Sequence, residues 1–485
     1  MVFGSRRIAG VLCLAMITSF CSAASYTPPS AAVSALGKYR GYGELTSAAG
    51  SMDIDKYTWN LTTWQMSHGG FSKAHASLYV NPWDKSTELS SWTAKDGTPL
   101  GMYDNNATVQ EMRLLAERYK ATKVDTLRTR FKSSFNKAVD FIISSARPNG
   151  GWPQVWPKRG NYSDQITFND NAMIRLMVLV QDIVNKTAPF DTDIADASKL
   201  ATLRTQLGKA VAYILKAQIV NNSSPTVWCA QHDTSNYKPV SARAYELASK
   251  SGSESAGIVW FLMNYPDQSA DVQKAVKGAL AWYRKNRVAD LKFSDGNFVA
   301  SQGASMWYRF YEVNSDDYFF CDRAGETTKT QDITKLSEDR RTGYQWAGDY
   351  GSGLLGAESA YLSAIAGISA ESSSSSSAAV SSSSAVSSSS SASGPLAVPV
   401  NVTASRLSVN PVMSGSVSVS LTVNYQGAAS VTLSDMSGRV MLSRTFRVVP
   451  GMNAITLDRG ALPSGVYVVQ VNTKFDRLRA KVFAE

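Results

Sequence analysis

Acid–base chemistry in this chain must come from carboxylates, lysines, arginines or tyrosines. Histidine is limited to His68, His75 and His232, and the cysteines are Cys13, Cys21, Cys229 and Cys321. No nucleophile elbow with a Ser–His–Asp order is present, and no His or Cys cluster has zinc spacing. Two acidic turns stand out, YDNNAT at 103–108 and FNDNAM at 168–173. Each places Asp and Asn ahead of Ala and an apolar-periodic run, so each opens a helix. Asp and Asn are favoured helix caps, which is one reading of both turns. Taken together, two such turns at matching helix starts also offer carboxylate and amide oxygens, the hard donors that Ca2+ takes.

A second constellation is basic. Arg243 and Arg309 each sit in an Arg-x-Tyr-Glu pattern, ending at Glu246 and Glu312. Arg323 follows Cys321–Asp322, and Arg340–Arg341 precede Tyr344 and Trp346. Each arginine could pair with its local acid as a structural ion pair. Arginine is also the side chain that grips carboxylates bidentately. Several arginines beside a Ca2+ site would describe a cleft for an acidic ligand.

The elements that must position these groups are mostly helical. Phe131, Phe135, Ala138 and Phe141–Ile142 recur at helical spacing, as do Leu203, Leu207, Ala210, Ile214 and Ala217. Further helices are expected over 107–120, 170–184, 254–263, 270–284 and 354–365. Between two of them lies the densest loop of the chain, 150–173, rich in Gly, Trp, Pro and Asn. Its Gly-Gly-aromatic start repeats an earlier GGF and is loosely echoed later, with Phe71, Trp152 and Trp228 in register at roughly 80 residues. One unit is then a helix pair plus a loop. A closed ring of such pairs, an α/α toroid, would gather the loops at one end. An open helical solenoid is the other arrangement this repeat allows.

The 485 residues suit two or three domains, and a 44% hydrophobic content supplies a sizeable core. Arg6–Arg7, an apolar run from Ile8 to Phe20 and Ser22–Ala23–Ala24 read as a secretory signal over 1–24, cleaved near Ala24. The run is short for a membrane span, and the residues before Cys21 fit a lipid-attachment box poorly. Cys229 and Cys321 then remain, either bonded or as separate buried thiols. From Ala370 to Gly394 the chain is almost pure Ser with Ala and Val, a flexible linker. It separates a module at 25–369 from a small one at 395–485, whose short alternating runs and Gly-rich turns predict an all-β sandwich. The net charge is +10. No nucleic-acid-binding motif accompanies it, which disfavours nucleic acid and leaves a membrane surface or a polyanionic substrate.

The large module resembles family 10 pectate lyases. The resemblance rests on GGFSK at 69–73, DNNAT at 104–108, GGWPQ at 150–154, ITFNDNAM at 166–173, VWCAQHD at 227–233, ARAYELAS at 242–249, RFYE at 309–312 and RRTGY at 340–344. It implies a mainly α fold, the α/α toroid, and Ca2+-assisted cleavage of polygalacturonate by β-elimination. It implies Ca2+ at Asp104 and Asp170 with Asn105 or Asn171, and Arg243 as the base. Arg309, Arg323, Trp152, Lys73 and His232 would contact substrate. Asn171 stands where the family usually has a second acid, and Ala324 where it usually has Asp. The small module resembles secretion-sorting domains in DMSGRV at 435–440 and LPSGVYVVQV at 462–471. A secreted, monomeric enzyme is expected, with the small module contacting secretion machinery or the cell surface. The rival readings are a glycoside hydrolase using Asp104 and Asp170, and a non-catalytic pectin-binding protein.

Overall fold

The computed structural model describes residues 26–378 and, in the C-terminal part, 406–409, 412–413, 416–423, 427–435, 439–448, 451–458, 463–473 and 477–484. The expected signal segment lies outside the described residues, as does the linker beyond 378. The chain divides into two compact units, Met1–Ser383 and Ser384–Glu485.

The first unit is built from eleven α-helices among its described residues: α1 (Ser30–Gly37), α2 (Gly43–Ala49), α3 (Ile54–Thr63), α4 (Val109–Ala121), α5 (Asp125–Ser145), α6 (Ala172–Val184), α7 (Ala197–Ala217), α8 (Glu254–Asn264), α9 (Ala270–Lys285), α10 (Glu338–Thr342) and α11 (Ser352–Ala378). The last of these continues past the boundary expected at Ala370. Alanine and serine are compatible with a helix, and the preceding apolar turns give it a nucleus.

Two kinds of helix alternate. In α5, α7 and α9 the buried residues form one stripe, as in Phe131, Phe135, Ala138 and Ile142. In α6 and α8 nearly every residue is buried, and in α4 the run from Val109 to Ala116 is. A helix apolar all round must be covered on all sides. Accordingly α6 packs on both α4 and α8, each of the three also packs against its following helix, and α5, α7 and α9 form a second layer. α1 packs on α8 and α11, and α2 packs on α4.

The three-fold repeat is visible atom by atom. Gly69 and Gly150 have φ of +99° and +103°, and a Cβ on either would lie 2.1 or 2.2 Å from the carbonyl oxygen of Lys137 in α5 or Lys209 in α7. Only glycine permits both the conformation and the approach. The indole of Trp152 donates to Ile142 O (2.9 Å) and that of Trp228 to Ile214 O (2.7 Å), satisfying carbonyls near the ends of α5 and α7. The carbonyls of Phe71, Trp152 and Trp228 accept from Met102, Thr167 and Ser251. Two-residue antiparallel ladders then tie each unit to the next: 101–102 with 155–156, 166–167 with 231–232, and 250–251 with 310–311. A longer hairpin, Val288–Ser294 with Asn297–Tyr308, was not anticipated from sequence; its exposed strands carry a weak alternating signal.

Cys229 and Cys321 are free and buried. Each thiol is directed to a backbone carbonyl, of Val240 and Tyr245. No described helix is long and apolar enough to cross a membrane.

The second unit is a small β domain of two sheets. One holds Arg406–Val409, Ser416–Val423 and Gly451–Asp458. The other orders Val412–Met413, Arg477–Ala484, Gly465–Asn472, Gly427–Asp435 and Val440–Val448. Leu421 and Ile455 of the first sheet join Val431, Leu433, Val469 and Val471 of the second in one core cluster.

Candidate active site

Each inner helix opens on a turn that holds an acid. Asp104 begins the 3-10 turn Asp104–Asn106 ahead of α4, Asp170 is central to Asn169–Asn171 ahead of α6, and Glu254 opens α8. The ladders fix these turns directly: Tyr103 N donates to Gln154 O, Phe168 N and Asn169 N to Ala230 O, and Gly252 N to Arg309 O. Asn105, Asp170 and Asn171 have φ of 48°, 51° and 60°. Asn and Asp tolerate that left-handed region better than other non-glycine residues, which explains the residue types. Capping does not: neither α4 nor α6 has a side-chain cap bond at its N-terminus.

Every carboxylate here meets a cation. Lys73 Nζ contacts Asp104 Oδ2 at 2.5 Å. Arg309, buried, binds Glu254 at 2.5 Å, Asn169 Oδ1 at 3.3 Å and Asp170 at 3.5 Å. Burial works against the Arg309 charge. Glu254, then the Tyr344 and Tyr350 phenols and Asp170, outweigh it and hold its pKa above the ordinary arginine value. The Asp170 pKa is raised as well, but for a carboxyl that disfavours the charged form. Desolvation raises its pKa, Arg309 opposes this, and Glu254, Asp104 and Glu246 raise it further. The three other carboxylates thus make Asp170 part of an anionic focus, a setting that favours a cation.

Arg243 departs from expectation. The base that the resemblance implies would need its pKa brought down from the arginine range. Instead Glu246 accepts from its Nε at 2.8 Å and from its Nη2, and this pairing, against partial burial, raises the pKa. The local-pair reading therefore holds for Arg243 in this conformation. It fails for Arg309, whose neighbour Glu312 binds Lys329 instead. Arg323 is exposed and pairs with Asp339 at 2.5 Å. It nevertheless stands near Arg243, because both guanidiniums lie within 6 Å of the Tyr245 ring, at 5.9 and 4.9 Å.

Two expected substrate contacts are buried. Trp152 is 1% exposed and fully engaged in the loop-to-helix packing described above, so it does not wall a cleft. His232 is 0% exposed. Its Nε2 accepts from Cys229 N–H at 2.9 Å, so Nδ1 carries the proton and donates to Tyr237 O at 2.8 Å. Burial pushes its pKa down to about 4, and it is a neutral loop brace.

Sequence reasoning missed Glu254, Tyr344 and Tyr162. Glu254 looked like an ordinary first-turn acid. Tyr344 is packed by Arg340 at 3.8 Å and Arg309 at 4.8 Å, and its hydroxyl reaches Glu246 at 3.4 Å. It thereby joins the Arg309 and Arg243 regions. Tyr162 lies among Arg243, Glu246, Arg159 and Asp104.

The donors suit a cation shared with a ligand. Among the described residues no group of three or more His, Cys, Asp or Glu side chains is arranged to hold a metal. Asp104 and Asp170 offer carboxylates and Asn105 an exposed amide, whereas Asn171 Oδ1 already accepts from Tyr39 OH at 3.1 Å. Ca2+ takes six to eight oxygens. An acidic ligand and water would have to complete such a set.

A family model described as pectic acid lyase matches residues 65–355. A second, described as a secretion system C-terminal sorting domain, matches residues 410–485. Among solved structures, the chain is similar to a family 10 polysaccharide lyase from Cellvibrio cellulosa, with 36% identity and a TM-score of 0.56 over 67% of this chain and 98% of that one. A mutant of that lyase in complex with trigalacturonic acid matches with the same identity and TM-score, over 66% and 98%. Among curated proteins none matches.

Proposed function

The chain belongs to the pectic acid lyase family, and from that premise we propose that it cleaves α-1,4-polygalacturonate by Ca2+-assisted β-elimination, leaving 4,5-unsaturated ends. The observation that carries this reading is the Asp170–Arg309 pair within electrostatic reach of Asp104 at the start of the adjoining inner helix, with Arg243 linked to Arg309 through Glu246 and Tyr344. That arrangement supports acidic-sugar chemistry and gives no reason for a neutral one.

The proton to be removed is on C5, next to the uronate carboxylate, and the oxygen that leaves is on C4. Bound at Asp104 and Asp170, with Asn105 or Asn171 near, Ca2+ would neutralise the uronate carboxylate as charge develops on C5. Arg309 is held rigid by Glu254 and faces the same carboxylate. Arg243 accepts the C5 proton after giving up Glu246, and alkaline pH favours its neutral form. Arg323 and Lys73 bind neighbouring uronates. With a cation held at Asp104, Lys73 would be released from its pairing there to meet substrate.

The packing of α1 on α8 and of α2 on α4 supports a closed α/α toroid over an open solenoid. The two facing sheets and shared core support a sandwich in the second unit. We also infer that residues 1–24 act as a signal, that 370–394 link two independent modules at 25–369 and 395–485, and that the sorting domain delivers a monomeric enzyme outside the cell or onto its surface.

Incubation with polygalacturonate tests the reading. Ultraviolet absorbance of the conjugated product should appear, and chelator should abolish it. Reducing ends without absorbance would identify a hydrolase, and neither signal a binding protein.

A further inference from the structure

Lys73 does more than cover Asp104. Its Nζ also lies 4.4 Å from the ring centroid of Trp92. The Arg159 guanidinium stands 4.0 Å from the same ring. Trp92 is half-buried and so offers a fixed platform. The Arg159 backbone N–H binds Asp164 at 2.8 Å, and Gly160 N–H binds it at 2.7 Å, which anchors the loop. Among the described residues, no acidic side chain pairs with the Arg159 guanidinium. A ring face holds a guanidinium in place without neutralising it, and leaves its in-plane N–H donors free. Lys95 borders the same loop, with its Cε 2.8 Å from where a Cβ on Gly160 would stand.

This patch is continuous with the active site on two sides. Lys73 joins Trp92 to Asp104, and Tyr162 is within electrostatic reach of Arg159 and of the Arg243–Glu246 pair. A polyanionic chain lying across Asp104 would meet Arg159 next.

We propose that Arg159, held on the face of Trp92, forms a further uronate-binding subsite that continues the cleft beyond Asp104 and grips one galacturonate carboxylate bidentately. The proposal rests on the polygalacturonate reading above. Its chemistry sets an order of effects: Arg159→Ala removes the grip, Arg159→Lys keeps the charge but loses the fork, and Trp92→Ala frees the guanidinium to wander.

Calorimetric titration of the full chain with tri- and hexagalacturonate tests this, in an Arg243→Ala background so that the ligand survives. Arg159→Ala should weaken hexagalacturonate binding about fivefold or more, with Arg159→Lys and Trp92→Ala intermediate. The affinity gained from trimer to hexamer should shrink in the same order. Hexamer affinity within about twofold of the parent in both Arg159→Ala and Trp92→Ala would overturn the subsite. A parent that binds neither oligomer would overturn the underlying substrate reading instead.

Discussion

Replacing Glu246 with glutamine separates two roles for Arg243. Glu246 accepts from Arg243 Nε at 2.8 Å and from Nη2, and raises the arginine pKa. Charge centres about 4 Å apart at an effective dielectric of about 20 interact by about 4 kcal/mol. The Arg243 side chain is 45% exposed, so solvent and salt reduce that figure. Exposed pairs are worth up to about 1 kcal/mol, and a bidentate pair belongs at or just above the top of that range. At about 1.4 kcal/mol per pH unit, Glu246→Gln lowers the Arg243 pKa by about one unit. The sign follows from the charge removed: without the anion the protonated form loses support, and at any pH below the pKa the neutral fraction rises about tenfold. The alkaline rise in the rate of polygalacturonate cleavage should therefore move about one unit to lower pH, with an unchanged circular dichroism spectrum. If the rise stays in place and the rate falls at every pH, Arg243 works as a permanent cation and its assignment as base is refuted.

Acidification should raise the Ca2+ concentration needed for half-maximal rate, because desolvation and the neighbouring carboxylates raise the Asp170 pKa and protons then compete with the metal above the ordinary aspartate range. A half-maximal concentration flat with pH would remove Asp170 from the metal site. Arg309→Met should cost about 3 kcal/mol in denaturant unfolding, since Glu254 is 1% exposed and would be left with Ser251 alone as a side-chain partner. A loss below about 1 kcal/mol would show that the Arg309–Glu254 pair does not support the fold.

The helices were legible because their stripes are long and their loops carry glycine. The repeat of Phe71, Trp152 and Trp228 was legible for the same reason, and the structure gives it a cause: a glycine passing under a helix carbonyl, then an indole closing the helix end. What that spacing concealed was direction. Trp152 faces its own helix, not the cleft, and sequence does not say which way a loop tryptophan points. His232 misled similarly, since the motif that names it as a substrate contact does not show that both its ring nitrogens are engaged by the backbone. Glu254 was hidden because its meaning depends on Arg309, 55 residues away. Lys73 was named for its motif, but its shared contact with Asp104 and Trp92 belongs only to the folded chain.

The small ladders have a consequence for how this enzyme fails. Each acidic turn is moored to the following unit as well as to its own: the Asp170 turn hangs from Ala230, and the Asp104 turn from Gln154. Local opening of one unit therefore disarms the unit before it. Fraying at the third loop would release Asp170 while leaving α6 itself folded. A fragment that stops short of residue 230 should lose the hydrogen bonds that hold the Asp170 turn, although it contains every residue of that turn. Activity should thus report on the integrity of all the units together, and should vanish during unfolding before helix content does.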